Sequence, residues 1–268
     1  MNPHITAHRT GFPQGRTVVT GMGQGPGIGF GVLKLAAGAV ERIVLERESA
    51  WLLMHGELRV QVEDIDRRLQ RRSLFDESAS AAHAAAGATV TLEALADTEL
   101  TFYEVENRRR FAARVFEPAD VPDEFRGKGQ VRDRSLRLVR TIWDRRNSPA
   151  EVELVLGEVV TLPGGWSSYP PHHHPQPEIY HYRFTEPQGY GHAELGEMVL
   201  KVRHHDTVCI GAGLDHAQCA APGYGMYYAW VIRHLPGNPY TVPEFAPEHA
   251  WTMAAGSSGW WPRQFDDD

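Results

Sequence analysis

Short apolar runs separated by turns constrain what this chain can fold into more than any other feature of its sequence. Its 268 residues include 26 glycines and 18 prolines, which interrupt the apolar runs along the whole length. Helical periodicity is weak almost everywhere, so the runs are predicted as β-strands and the chain as an all-β protein. The alanine-rich segment 78–86 is predicted as a loop or a single turn. The nine predicted strands are residues 30–35, 51–62, 88–95, 99–105, 154–160, 178–184, 198–202, 207–210 and 226–232.

A change in composition divides the chain near residue 125 into two β-rich halves, residues 1–125 and 126–268. The segment 107–148 is rich in arginine and aspartate, and we interpret it as a connection with some ordered strand around residues 136–142. A length of 268 residues is enough for one large domain or two ordinary domains, each with its own core. We therefore expect two β domains in tandem.

The two halves show a faint internal similarity. The short segments 85–87 (Ala-Ala-Gly) and 211–213 (Gly-Ala-Gly) align them, and Val90 then takes the position of His216. The second half contains a His-x-His pair at His172 and His174. No histidine occurs between residues 36 and 54, where the corresponding pair of the first half would fall. The first half is thus predicted to lack metal ligands, and the second half to carry them.

Composition and charge argue against several classes of function. A net charge of -7 disfavours nucleic acid as a partner, and no uninterrupted apolar stretch is long enough to predict a membrane span. The two cysteines, Cys209 and Cys219, are too few for a disulfide scaffold and suit a reducing cytoplasm. Residues 1–10 show no signal-peptide pattern, so we expect a cytoplasmic protein. Exposed barrel edges would favour a homodimer.

One cluster of residues has the spacing of a metal site. His172 and His174 are two positions apart, so on a strand their side chains point to one side, and His173 points away. A Pro-Gln-Pro turn follows and can bring Glu178 to the pair, and His216 adds a distant third imidazole. Such nitrogen and oxygen donors suit Zn, Mn, Fe, Ni or Co, and donor type alone does not choose among them. We expect one divalent metal per chain, Zn or Mn before Fe, Ni or Co. The alternative is a histidine-rich surface loop with accidental spacing.

Alternation along the strand at 178–184 indicates which neighbours share the cavity with Glu178. Tyr180 and Tyr182 lie on its face, either as catalytic hydroxyls beside the metal or as ordinary aromatic core. His181 and Arg183 face the other way and are expected on a solvated or interface surface.

Charged candidates for holding an anionic substrate in the cavity are few, and the lysines of the chain are only Lys34, Lys128 and Lys201. Lys201, Arg183 and Arg203 are the candidates for binding a substrate carboxylate, although alternation disfavours Arg183 and a surface role is the alternative for Lys201. His204 and His205 precede a turn and are expected to be exposed to solvent.

Several motifs together resemble a known family. Trp166-Ser-Ser-Tyr-Pro-Pro-His-His-His, then Glu178-Ile-Tyr-His-Tyr-Arg-Phe and Pro187-Gln-Gly-Tyr-Gly, are similar to the 5-deoxy-glucuronate isomerase family of inositol catabolism, within the wider uronate isomerase bicupin group. Pro222-Gly-Tyr-Gly-Met-Tyr-Tyr and Glu248-His-Ala-Trp fit the same family. The resemblance implies a bicupin, which is two tandem β-barrels, with a metal in the C-terminal barrel. Carried over, the ligands are His172, His174, Glu178 and His216.

The resemblance also implies an activity. We expect a metal-dependent aldose–ketose isomerase that converts a small sugar acid, 5-deoxy-glucuronate, to a product of the 5-dehydro-2-deoxy-gluconate type. A 4-deoxy-5-keto-uronate isomerase with the same ligands is one alternative. A cupin dioxygenase that uses iron, or a cupin that binds a sugar without turnover, are the others.

Overall fold

The computed structural model describes residues 2–265, and β-strands dominate its regular structure. In the first part of the chain the strands are β1 (His4–Ile5), β2 (Gly15–Thr20), β3 (Gly29–Leu35), β4 (Val40–Val44), β5 (Glu48–Val62), β6 (Ile65–Arg71), β7 (Ala81–Ala84), β8 (Thr89–Ala94), β9 (Thr98–Val105) and β10 (Arg114–Phe116). The later strands are β11 (Glu124–Arg126), β12 (Arg137–Trp143), β13 (Leu154–Thr161), β14 (Trp166–His173), β15 (Glu178–Phe184), β16 (Tyr190–Leu195), β17 (Met198–Arg203), β18 (Thr207–Ile210), β19 (His216–Ala220), β20 (Met226–Arg233) and β21 (Glu244–Phe245). The helices are short 3₁₀ turns at Pro118–Asp120, Val131–Asp133, Pro247–Met253 and Arg263–Phe265. None of the helices in the described part of the chain is long and apolar enough to cross a membrane.

All nine apolar runs predicted as strands lie on strands of the structure. A further strand, β12, occupies residues 137–143, close to the order expected around residues 136–142. The prediction of a loop at residues 78–86 is wrong, because this segment contains β7 (Ala81–Ala84). All four residues of β7 are buried between its neighbours β5 and β10, so the small side chains of its three alanines suit the position despite their low strand propensity.

Three sheets organise the described part of the chain. A nine-stranded sheet follows the order β10-β7-β5-β9-β3-β2, with β6 and β8 paired to β5 and β4 paired to β8. A seven-stranded sheet follows β1-β18-β15-β20-β13-β12-β11, and a five-stranded sheet follows β17-β16-β19-β14-β21. Strands β2 to β10 belong to the nine-stranded sheet, and strands β11 to β21, together with β1, belong to the other two sheets. The change between β10 and β11 lies just before the boundary predicted at residue 125.

The seven- and five-stranded sheets of the second half enclose a core of their own. Alternation along β15 directs Tyr180, Tyr182 and Phe184 into this core, while Ile179 belongs to a different apolar cluster on the other face of the strand. Every residue of β15 is buried, which shows that the strand is covered on both faces.

The outer face of the seven-stranded sheet packs against the first half of the chain. Their shared apolar cluster includes Phe30 and Leu52 from the first half and Trp143 and Tyr227 from the second. Burial of this apolar area holds the two halves together. His181 and Arg183 lie on this covered face and are buried, so they are exposed to no bulk solvent and belong to an interface within the chain.

A buried ionic network crosses the same junction. Glu158 Oε1 lies 2.5 Å from Arg71 Nη2 and 2.9 Å from Arg140 Nη1, and the hydroxyl of Tyr227 donates to Oε2 at 2.8 Å. All three charged side chains are buried, and a buried charge is costly unless it is paired and hydrogen-bonded. The network therefore ties Arg71 of the first half to the second half by charge as well as by apolar packing.

Candidate metal centre

Three strands place the histidines and the glutamate at one end of the second barrel. His172 on β14 is directly opposite His216 on β19, and cross-strand partners carry their side chains on the same face. Glu178 begins β15 in the facing sheet, so its carboxylate meets the imidazoles across the barrel interior. His174 lies just beyond the end of β14 and is held by the turn that leads to Glu178.

An irregularity in β14 shapes the approach to these residues. Ser167 and His172 are five positions apart but pair with Gln218 and His216, which are only two positions apart. The extra residues form a bulge that contains Pro170 and Pro171, whose missing N–H groups would leave a regular ladder incomplete. Within this bulge Ser168 has a φ of 48° and contributes its side chain to the cavity beside the histidines.

The distances within the group are short enough for a shared ion. Glu178 Oε2 lies 3.3 Å from His174 Nε2 and 3.3 Å from His216 Nε2. Ligand atoms of these three residues all lie within 4.8 Å of one another. The ring of His172 packs against that of His216 with 4.4 Å between centroids, but His172 lies outside the tight three-residue group.

Main-chain carbonyls orient all three imidazoles. The Nδ1 atoms of His172, His174 and His216 lie 3.2, 2.9 and 3.0 Å from the carbonyl oxygens of Pro170, Gln176 and Leu214. An Nδ1–H that donates to a carbonyl leaves Nε2 with its lone pair free, which is the tautomer that binds a metal through Nε2. The Pro-Gln-Pro turn thus has a defined role, since Gln176 supplies one of these acceptors.

The surroundings of the group fit a cation. His174, Glu178 and His216 are 4%, 2% and 1% exposed, and Nε2 of His216 is buried without a hydrogen bond. Burial alone would raise the pKa of Glu178, but the adjacent imidazoles of His174 and His216 outweigh burial and lower this pKa to about 2. Burial and the neighbouring His216 lower the pKa of His172 to about 3. A carboxylate beside imidazoles that can offer Nε2 is the donor set that divalent transition metals bind.

His173, the middle residue of the triplet, faces away from this group. Its Nδ1 lies 2.8 Å from Asp215 Oδ1, and its Nε2 lies 3.5 Å from Glu244 Oε2.

A cavity of about 250 Å³ opens beside the histidines. Tyr180 lines it, and its hydroxyl lies 3.0 Å from Ser168 Oγ, which in turn lies 3.0 Å from the hydroxyl of Tyr228. Tyr182 does not line it, because its hydroxyl donates to Gln218 Oε1 at 2.7 Å deeper in the core. Burial raises the pKa values of Tyr180 and Tyr182 well above 10, so both phenols stay protonated at neutral pH.

The three residues predicted to bind a substrate carboxylate lie outside the cavity. Alternation along β17 turns Leu200 and Val202 towards the core, so Lys201 and Arg203 are exposed, and Lys201 Nζ lies 4.1 Å from the ring centre of Tyr190. Arg183 is on the opposite face of β15 from Glu178 and pairs with Glu99, with 2.6 Å between Nη2 and Oε1.

The expectation for His204 and His205 also needs correction. Both are half-buried against Arg183, and His204 Nδ1 accepts a hydrogen bond from the main-chain N–H of Phe184 at 3.2 Å. The turn before Asp206 folds back onto the barrel, which covers them.

Sequence reasoning missed several residues that line the cavity, above all its arginines, Arg126, Arg137 and Arg146. Arg137 shares the inward face of β12 with Val139 and Thr141, an alternation that is visible in the sequence once β12 is known to border the metal site. Tyr240 follows the last long strand, and its ring lies 4.9 Å from that of His174. No local sequence pattern predicts that Tyr240 lies at the site, because a distant loop brings it there.

Comparison with known proteins agrees with this architecture. The chain is 28% identical to the 5-deoxy-glucuronate isomerase of Geobacillus kaustophilus (strain HTA426), over 84% of this chain and 86% of that protein. It superposes on an IolB-like protein from Salmonella typhimurium LT2 with a TM-score of 0.80 and 26% identity, covering 91% and 97% of the two chains. A cupin 2 conserved barrel domain protein from Leptotrichia buccalis, 12% identical with a TM-score of 0.53, covers 87% of this chain and 96% of its own. The all-β cupin prediction is thereby confirmed. A model of the KduI/IolB family matches residues 6–252, and the chain therefore belongs to the KduI/IolB family.

Proposed function

We propose that this chain is a metal-dependent aldose–ketose isomerase that converts 5-deoxy-glucuronate to 5-dehydro-2-deoxy-gluconate in inositol catabolism. Membership of the family and the name of the Geobacillus kaustophilus relative support this activity and a small sugar acid as the substrate. The observation that carries the proposal is the buried set of His174, Glu178 and His216 beside a cavity of about 250 Å³. A set with no adjoining space could hold a structural ion but could not admit a sugar.

We extend this set to four ligands for one divalent metal, with Zn or Mn favoured, because the ring of His172 packs 4.4 Å from that of His216. His172, His174 and His216 would offer Nε2, because their Nδ1 atoms face main-chain carbonyls, and Glu178 would offer a carboxylate oxygen. Once bound, the metal would supply Lewis acidity at the carbonyl of the open-chain sugar and at the adjacent hydroxyl.

The reaction itself moves one carbon-bound proton between neighbouring carbons. The proton leaves the hydroxyl-bearing carbon next to the aldehyde and returns to the former aldehyde carbon, and the hydroxyl protons rearrange so that atoms balance. Tyr180 and Ser168 face this part of the cavity, and the protonated phenol of Tyr180 can donate a hydrogen bond to a substrate oxygen on which negative charge develops. Burial of the ligands limits water at the reacting atoms.

The test combines metal analysis with proton exchange in deuterated water. Wild-type protein is given 5-deoxy-glucuronate and, separately, a 4-deoxy-5-keto-uronate, and deuterium at the carbon next to the carbonyl is followed by NMR. Exchange and net conversion of 5-deoxy-glucuronate are expected in the presence of the metal, and both should stop when a chelator removes it.

Two adjacent histidines provide a matched pair of variants. His174→Ala should lose both metal and exchange, whereas His173→Ala should keep both, because His173 pairs with Asp215 and Glu244 away from the cavity. Metal-loaded protein that exchanges neither sugar would overturn the isomerase proposal. Oxygen consumption would then point to a dioxygenase, and saturable binding without turnover would point to a binding protein.

A further inference from the structure

One arginine in the metal cavity has no anionic partner among residues 2–265. Arg137 is half-buried on β12, and its Nη1 and Nη2 donate to the carbonyl oxygens of Ser135 and Tyr169 at 2.8 and 3.1 Å. No carboxylate of residues 2–265 forms an ion pair with it. A guanidinium has five N–H donors, so others remain free after these two bonds.

The other buried arginines behave differently. Arg71 and Arg140 pair with Glu158, and Arg183 pairs with Glu99. Burial lowers the pKa of Arg137, whereas the pKa values of Arg71 and Arg140 are raised because the carboxylate of Glu158 outweighs their burial. A fixed, partly desolvated positive charge without a counter-ion is costly, and an incoming anion would relieve that cost.

A second observation on the neighbouring strand points the same way. Arg126 on β11 is the direct cross-strand partner of Arg137, and it also lines the cavity. Like charges directly opposite each other destabilise a sheet. Glu124 neutralises Arg126 at 2.8 Å but makes no ion pair with Arg137. An anion bound between the strands and the cavity would offset this repulsion.

The position of Arg137 also suits the shape of the substrate. Tyr169, whose carbonyl holds Arg137, adjoins Ser168, and Ser168 bonds to Tyr180, whose ring centroid lies 6.0 Å from that of His216. One continuous cavity therefore runs from the metal ligands to the guanidinium. A deoxyuronate carries its aldehyde at one end and its carboxylate at the other.

We infer that Arg137 is the residue that binds the substrate carboxylate, so that the sugar spans the cavity with its aldehyde end at the metal ligands. This inference rests on the proposed function and adds a determinant of specificity, namely a preference for sugar acids over neutral sugars. An arginine fork suits a carboxylate because two parallel hydrogen bonds fix its direction.

The test compares Arg137→Met with wild type on 5-deoxy-glucuronate and on 5-deoxy-glucose, in which a hydroxymethyl group replaces the carboxylate. KM for the acid should rise about 10- to 100-fold, the usual worth of charge-assisted hydrogen bonds, while exchange of the neutral sugar and the metal content should stay unchanged. Arg203→Met is the matched control, since Arg203 is exposed on β17 outside the cavity, and it should leave KM unchanged.

Two outcomes would overturn the inference: an unchanged KM for the acid, or equal losses for both sugars, which would mark a structural role. If Arg137→Met does not fold, Arg137→Lys keeps the charge without the fork and should give an intermediate KM. If wild type binds 5-deoxy-glucuronate without turnover, the isomerase proposal fails. The dissociation constants of wild type and variant, measured by calorimetry, then decide the role of Arg137. Absence of any binding to wild type would count against it.

Discussion

His172 and His216 are direct partners across β14 and β19, and their ring centroids lie 4.4 Å apart. His216 belongs to the tight group with His174 and Glu178, while His172 stands next to that group. We therefore expect His216→Ala to abolish metal binding and His172→Ala to weaken it at least tenfold without unfolding the barrel. Chelator competition measures both affinities, and circular dichroism checks the fold. Equal affinities of wild type and His172→Ala would remove His172 from the ligand set.

The two inward tyrosines of β15 should differ in their effect on catalysis. Tyr180→Phe removes a hydroxyl that faces the cavity beside Ser168, and kcat should fall about tenfold or more, because one preorganised donor is lost. Tyr182→Phe is the control: it removes only the buried bond to Gln218 and should cost about 1 kcal/mol of stability with little change in kcat. Steady-state kinetics and urea unfolding separate the two effects. A larger loss of kcat in Tyr182→Phe would contradict the geometry.

The buried network around Glu158 should be among the most sensitive points of the fold. Glu158→Gln leaves Arg71 and Arg140 without their common carboxylate, and the free energy of unfolding should fall by about 3–5 kcal/mol. Glu46→Gln serves as the control, since Glu46 is 82% exposed and its pair with Arg47 should contribute less than about 0.5 kcal/mol. Urea denaturation of both variants gives the comparison, and similar small losses would mean that the network contributes little.

Acid should destabilise the fold through a histidine remote from the metal ligands. Burial, together with Arg183 and His204, lowers the pKa of His205 to about 3 from the ordinary value of 6.5. Protonation therefore favours the unfolded chain, so this contribution to stability is complete above pH 6.5 and is lost as the pH falls towards 3, by at most about 1.4 kcal/mol per pH unit. In metal-free protein, the loss of stability between pH 7 and pH 5 should be smaller in His205→Gln than in wild type. Identical losses would show that His205 does not contribute.

Much of the fold follows from local pattern, because alternation is a property of each strand alone. The inward set of β15, with Glu178 and Tyr180 on one face, could be predicted this way. The strand β14 was not among the predicted runs, since Pro170 and Pro171 interrupt its apolar pattern, and only its pairing with β19 shows how a bulge accommodates them. Local pattern thus identifies regular strands better than irregular ones.

The end of the cavity that holds Arg137 could not be predicted in the same way. Arg137 reaches it because β12 borders the same barrel as β14 and β15, a relationship that depends on sheet order. Lys201 and Arg203 are closer in sequence to Glu178 than Arg137 is, but they lie on an edge strand with their side chains turned outward. Charge and proximity along the chain do not distinguish these cases, whereas the order of strands does.

The first strand of the chain, β1, pairs with β18 rather than with any strand of the first half. Asp206 stabilises this pairing, because its Oδ2 lies 2.7 Å from both His4 Nε2 and Arg9 Nη2. During synthesis, β1 can therefore pair with β18 only after the residues up to and beyond 208 have left the ribosome. Contacts of such long sequence separation form late in folding. A nascent chain arrested before β18 would expose this segment. The protease sensitivity of its first residues would then report whether β1 has paired with β18.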